Sequence, residues 1–219
     1  MSSTRTPTRD LALVAVFAAV IAVCSILPGI PMGSGVPITL QTFGVMLAGA
    51  VLGPVRGFLA VALYMAVGFA GLPVFAQGGA TLGVLAKPSA GYLIAFPIAA
   101  FLCGLLVMWV RSRGFRWPVL AITLAGLAAS FLVVHPLGIV GMYYRVEAFE
   151  TWREAIVADM AYWPGDVAKN IAMALVAVAV HRAFPDLLPV RRKATTPAPQ
   201  TPGTSPVSDD AAGREIINT

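Results

Sequence analysis

Between Leu11 and Val146 the chain carries no aspartate and no glutamate. An unpaired carboxylate is strongly disfavoured in hydrocarbon, whereas a soluble fold would scatter acids over a stretch of this length. Five long apolar blocks fill the acid-free stretch and a sixth follows it, so the chain is constrained to fold in a membrane. Composition agrees: 58% of the 219 residues are hydrophobic and only 11% charged, against about 25% charged in an average soluble domain, and mean hydropathy is +0.82.

The blocks predict six spans at residues 11–27, 38–52, 55–70, 92–110, 118–140 and 164–184. A spanning helix takes about 20 residues, which makes the second and third short. Gly53-Pro54-Val55-Arg56-Gly57 between them has the composition of a tight turn, so these two blocks read as a helical hairpin. The expected fold is an all-α integral membrane protein: a cytoplasmic N-terminus at 1–10, a six-helix membrane domain at 11–190 and a disordered cytoplasmic tail at 191–219. After Arg191-Arg192-Lys193 the sequence turns to Thr, Pro, Ser, Ala and Gly, with too few apolar residues for a core. The basic triplet reads as a stop-transfer anchor touching anionic lipid. The first block is expected to be retained rather than cleaved as a signal peptide.

Charge placement sets the sidedness. With both termini cytoplasmic, that side collects Arg5, Arg9, Arg56, Arg111, Arg113, Arg116, Arg182, Arg191, Arg192 and Lys193, and the other only Lys87, Arg145 and Arg153. This is the positive-inside pattern. The cations lie between apolar blocks without forming a patch, so the net charge of +5 does not imply a nucleic-acid partner. The segment from Met142 to Trp163 holds Glu147, Glu150, Glu154 and Asp159 among aromatic rings, and is expected as an outward loop at the membrane interface.

Two features stand out as candidate chemistry. Residues 71–89 are apolar yet rich in Gly and Pro; irregular backbone between membrane helices must be buried in protein or line a cavity, so this segment is expected to fold over the bundle as a ligand lid. Asp166 and Lys169 lie three residues apart at the start of the last span, behind Pro164, with Asn170 beside them. Either the pair neutralises itself near the outer mouth, or it faces a cavity and marks a functional pathway. In the second case it offers an acceptor and donors to a polar ring bearing N–H and C=O groups, and Lys169 at a helix N-terminus suits an acidic ligand group equally.

Other polar residues have two readings each. Lys87 either snorkels to water or meets a ligand carboxylate. Gln41 hydrogen-bonds another helix or faces a cavity, and Gln77 and Tyr92 either pack and cap or join the site. His135, before Pro136, predicts a kink with its ring bonded to nearby backbone, a proton relay being the alternative; His181 has no expected role. Ala15 and Ala19 form a small-xxx-small pair that serves internal packing or docks another membrane subunit; Ala18 with Ala22 is a second register. Cys24 and Cys103 fall within apolar blocks and predict neither disulfide nor metal site. No Ser/His/Asp triad, facing carboxylates or GxxxxGK[ST] loop occurs, so neither an enzyme nor an ATPase of its own is expected, and no cofactor.

Three stretches together resemble the BioY family, the biotin-specific S components of energy-coupling factor transporters: Val36-Pro37-Ile38-Thr39-Leu40-Gln41-Thr42-Phe43-Gly44; Gly71-Leu72-Pro73-Val74-Phe75-Ala76 with Gly91-Tyr92-Leu93-Ile94; and Pro164-Gly165-Asp166-Val167-Ala168-Lys169. The resemblance runs from about residue 11 to 184. It implies a six-helix bundle with a biotin pocket opening outward, biotin contacts from Asp166 and Lys169 completed by Gln77 and other polar residues of the third loop, and an AxxxA contact in the first helix with a transmembrane T subunit; a motor of that subunit and two ATPases is expected, a free-standing protein being the alternative. Phe75 and Tyr92 are expected to pack on the ligand's apolar parts. Where the family has Gly-Pro-Thr-Gly-Gly-Tyr this chain has Lys87-Pro88-Ser89-Ala90-Gly91-Tyr92, which introduces a charge. The alternative function is a secondary carrier or channel for another small solute, which would need coupling-ion residues in several helices. Only Asp166 is acidic within a predicted span.

Overall fold

The computed structural model describes residues 7–188, and the expected tail at 191–219 lies outside them. Eight α-helices run in chain order: α1 Pro7–Ile26, α2 Gln41–Leu52, α3 Pro54–Phe69, α4 Ala90–Arg113, α5 Pro118–Ala129, α6 His135–Arg145, α7 Trp152–Met160 and α8 Trp163–Ala183. Among the described residues β-structure is confined to two isolated bridges. Four segments are long and apolar enough to cross a membrane: α1, α4, the continuous Pro118–Arg145 and α8. The hairpin helices α2 and α3 have 12 and 16 residues, a rise of about 18 and 24 Å at about 1.5 Å per residue, short of the roughly 30 Å hydrocarbon layer.

Large apolar side chains face outward along these helices, among them Val16, Ile98, Leu105, Leu124, Leu132 and Leu175. In water such a surface would aggregate; in lipid it is simply solvated. Half of the α4 span is buried against 28% of α1, so α4 is the central post and α1 a peripheral one.

The α2–α3 turn forms where expected. Gly53 adopts φ 86°, ψ 179°, a conformation open to glycine, and Pro54 starts α3 where its missing N–H would have no partner. A Cβ on Gly49 would collide with the Ala100 carbonyl oxygen, so α2 and α4 approach through a bare backbone contact. Helices α5 and α6 join through a π turn at Ser130–Val134. Pro136 cannot donate to the residue four before it and its ring crowds that carbonyl; the wider turn absorbs both faults without breaking the span.

The segment before α8 departs from expectation. It holds a nine-residue helix, α7, whose Thr151 and Glu154 form a reciprocal capping box. Hydrogen bonds from the Thr151 and Glu150 N–H groups hold the Glu154 carboxyl below its usual range.

Candidate functional site

One end of the bundle holds a pocket, about 710 Å³ when the space of its open mouth is included. Its wall combines three sources: the α1–α2 loop with the start of α2, the α3–α4 loop, and the inner faces of α4, α6 and α8.

The two loops are tied down by aromatic hydroxyls. An antiparallel bridge between Ile30 and Ile38 closes the first loop. The Tyr162 hydroxyl donates to the Val36 carbonyl at 2.8 Å and pairs with Ser34, pinning that loop to the start of α8. In the second loop Phe75 is buried, its ring 5.4 Å from both Tyr64 and Phe69, over the space left by Gly68. The Tyr64 hydroxyl accepts from Gln41 Nε2 at 2.7 Å and reaches the Val74 carbonyl at 3.2 Å. Gly71, Gln77, Gly78 and Thr81 have positive φ, which coils the loop tightly, and Thr81 N–H bonds back to the Gly68 carbonyl.

At the base sits the charge pair. Lys169 Nζ donates to Asp166 Oδ1 at 3.0 Å and to Thr42 Oγ1 at 3.1 Å; one of its three N–H donors remains. Asp166, 4% exposed, accepts from Ser130 Oγ at 3.1 Å through its other oxygen. Asn170 donates to the Asp166 carbonyl at 2.9 Å, while its own Oδ1 is buried without a partner. A buried ion pair needs its remaining valences filled, and here neighbouring hydroxyls do so.

Of the residues expected in the site, Gln41, Phe75, Lys87, Tyr92, Asp166 and Lys169 all line the cavity. Gln77 does not: it is solvent-exposed in the left-handed region at the loop tip. Lys87 lines the mouth and is exposed, so it both reaches water and borders the cavity. Tyr92 is buried with its ring against Gly138, and its hydroxyl donates to Asp159 at 2.6 Å rather than into the cavity. Ala15 and Ala19 are exposed on the outer face of α1, whereas Ala18 is buried.

Two residues behind the ion pair stand elsewhere than the sequence suggests. His135, expected to bond nearby backbone, instead places Nδ1 2.8 Å from Asp159 and Nε2 3.4 Å from Asp166. Asp159, expected in a wet outward loop, is fully buried, and Trp163 Nε1 also donates to it at 2.9 Å. The sequence did carry a signal: Thr151-x-x-Glu154 announces a helix, which sets Ala155 and Asp159 on one face, the two residues of α7 that are buried.

A helical membrane bundle with a mostly apolar chamber and the Asp166–Lys169 ion pair at its base defines a binder of a small, partly polar solute. Comparison with known proteins narrows the class. A model of the BioY family matches residues 1–186. The chain is 41% identical to the biotin transporter BioY of Rhodobacter capsulatus, over 84% of this chain and 98% of that protein, and 39% identical to the biotin transporter BioY of Rhizobium etli at the same coverages. A crystal structure of the S-component for biotin from an ECF-type ABC transporter superposes with a TM-score of 0.71 at 27% identity, covering 82% of this chain and 95% of that one. The chain belongs to the BioY family.

Proposed function

We propose that this chain captures biotin on the outer side of a prokaryotic cell membrane and mediates its uptake. The carrying observation is the Asp166–Lys169 pair at the base of an otherwise largely apolar chamber, on the family's own sequence framework. Biotin combines an apolar bicycle and chain with a ureido group and a carboxylate, so it needs an apolar wall plus a few polar anchors. Phe75, Tyr92, Leu93 and Phe96 provide the wall. Asp166, Lys169 and Gln41 provide polar groups at its inner end, and Lys87 a cation at the mouth.

The role is binding and delivery, with no chemical step. In this reading α2 and α3 complete a six-helix bundle, the two short helices reaching across as a hairpin, and both termini lie in the cytoplasm as the positive-inside pattern predicts. A rigid bundle does not by itself turn a chamber from one side to the other, so an ECF T subunit and two ATPases supply the motion. The outward Ala15–Ala19 face of α1 is where the T subunit would dock, since small residues on a lipid-facing surface allow a second helix to approach closely.

Calorimetric titration of the detergent-purified chain tests the reading, with riboflavin and thiamin as controls. Biotin binds tightly and the other vitamins do not; Asp166→Asn and Lys169→Ala each weaken biotin by ~100-fold, about 2.7 kcal/mol, as expected for breaking a desolvated charged contact. Preference for another vitamin would overturn the ligand, and unchanged biotin affinity in both variants would overturn the site.

A further inference from the structure

Asp159 is fully buried yet does not line the cavity. Three donors from three helices converge on it: Tyr92 Oη from α4 at 2.6 Å, Trp163 Nε1 from α8 at 2.9 Å and His135 Nδ1 from α6 at 2.8 Å. The same imidazole also borders the cavity: its Nε2 lies 3.4 Å from Asp166 Oδ2, a charge contact without hydrogen-bond geometry, and has no hydrogen-bond partner. Phe131 and Trp163 hold the ring, at centroid distances of 4.6 and 6.2 Å, so it has little room to turn away.

Two facts fix the state of this ring. A bare lone pair on Nε2 would sit 3.4 Å from a carboxylate oxygen, an unfavourable contact that a proton relieves. Charge balance agrees: Asp159 and Asp166 are two buried anions, Lys169 is one partly buried cation, and a protonated His135 brings the set to neutrality, which low-dielectric surroundings favour. Lys87 is too exposed to take that part, and the facing hydroxyls of Tyr92, Thr42 and Ser130 are neutral.

We infer that Asp159 and His135 are positioning residues for ligand binding: Asp159 anchors a doubly protonated His135, and the imidazolium orients and balances the Asp166 carboxylate so that Lys169 is not consumed in neutralising it. The inference rests on the proposed capture of biotin for its consequence, although the protonation state it assigns exists without ligand. It also gives α7 a role, because the helix delivers Asp159 to the back of the site.

Two measurements test it. The chain has only two histidines, so a solid-state 15N spectrum of histidine-labelled, ligand-free protein at neutral pH contains two imidazole sets. One of them shows both nitrogens protonated and disappears in His135→Gln; two neutral rings would overturn the inference whatever the protein binds. The second is a double-mutant cycle read by biotin titration. Asp159→Asn lowers affinity ~10-fold, Asp166→Asn ~100-fold, and the double variant binds no more weakly than Asp166→Asn alone, since one residue acts through the other. Multiplying losses, or an Asp159→Asn variant that binds like the unaltered chain, would overturn it. Should Asp159→Asn not yield monodisperse protein, the spectrum of the unaltered chain decides, and failure of that chain to bind biotin would sink the ligand reading while leaving the spectrum to judge the bridge.

Discussion

The two ends of the bundle each hold a partly buried cation among apolar helices, and they use it differently. At the cavity end Lys169 is paired with Asp166 and Thr42 but keeps a donor beside open space. At the other end Arg56 spends itself on the fold: Nε donates to the Leu52 carbonyl at 3.0 Å, Nη1 to Asp10 at 2.9 Å, and Nη2 to the Leu187 carbonyl. It thereby joins the end of α2, the start of α1 and the segment after α8. A carbonyl at a helix end has no partner within its helix, so a guanidinium there is a staple. The charge is the same; what it faces decides whether it serves a ligand or the scaffold.

The largest effect that would test this contrast is expected at Gly49. The backbone contact with Ala100 leaves no volume for a side chain, and neither helix can shift without disturbing the other's packing. Gly49→Val is expected to abolish the monodisperse peak in size-exclusion chromatography. Recovery of well-folded protein that binds biotin normally would show the α2–α4 contact to be adjustable.

Arg56→Ala should separate the ends more finely. Three bonds vanish, but the Leu52 and Leu187 carbonyls lie near the bundle's end, where water can partly replace the guanidinium. A loss of about 2 kcal/mol follows for hydrogen bonds to a charged group, which lowers the melting temperature by roughly 4–8 °C in a domain of this size. Biotin affinity should stay within about twofold, since less than 1 kcal/mol separates such values. A large affinity loss with an unchanged melting temperature would reverse the division of labour between the ends.

The sequence carried more of the scaffold than of the site, for physical reasons. Hydropathy marks long spans because lipid tolerates little else, and the α2–α3 turn was visible because Gly53-Pro54 admits few alternatives. The ion pair was legible because both partners lie on one helical turn. Asp159 and His135 were not, since their contact joins residues 24 apart and depends on a helix hidden among interfacial charges and rings. Gln77 failed in the opposite sense: an amide in a folded loop looks buried until the backbone reverses at the tip and turns it to water.

Gln77 and Lys87 share that loop and make the smallest, most discriminating pair of tests. Lys87 borders the cavity mouth from an exposed position, so its charge acts on an anionic ligand through water and salt. Lys87→Ala should weaken biotin by only about threefold, and the difference should shrink as ionic strength rises, because exposed charge pairs contribute about 0–1 kcal/mol and are screened. Gln77→Ala should change affinity by less than about twofold at any salt, as expected for an exposed side chain away from special features. Should Gln77→Ala instead lose more than Lys87→Ala, the loop tip must fold inward when the chamber fills, and the exposed amide would become a ligand contact made only on closure. A salt-independent loss at Lys87 would mean that its ammonium leaves water on binding, bringing it closer in kind to Lys169 than to a cation at the rim.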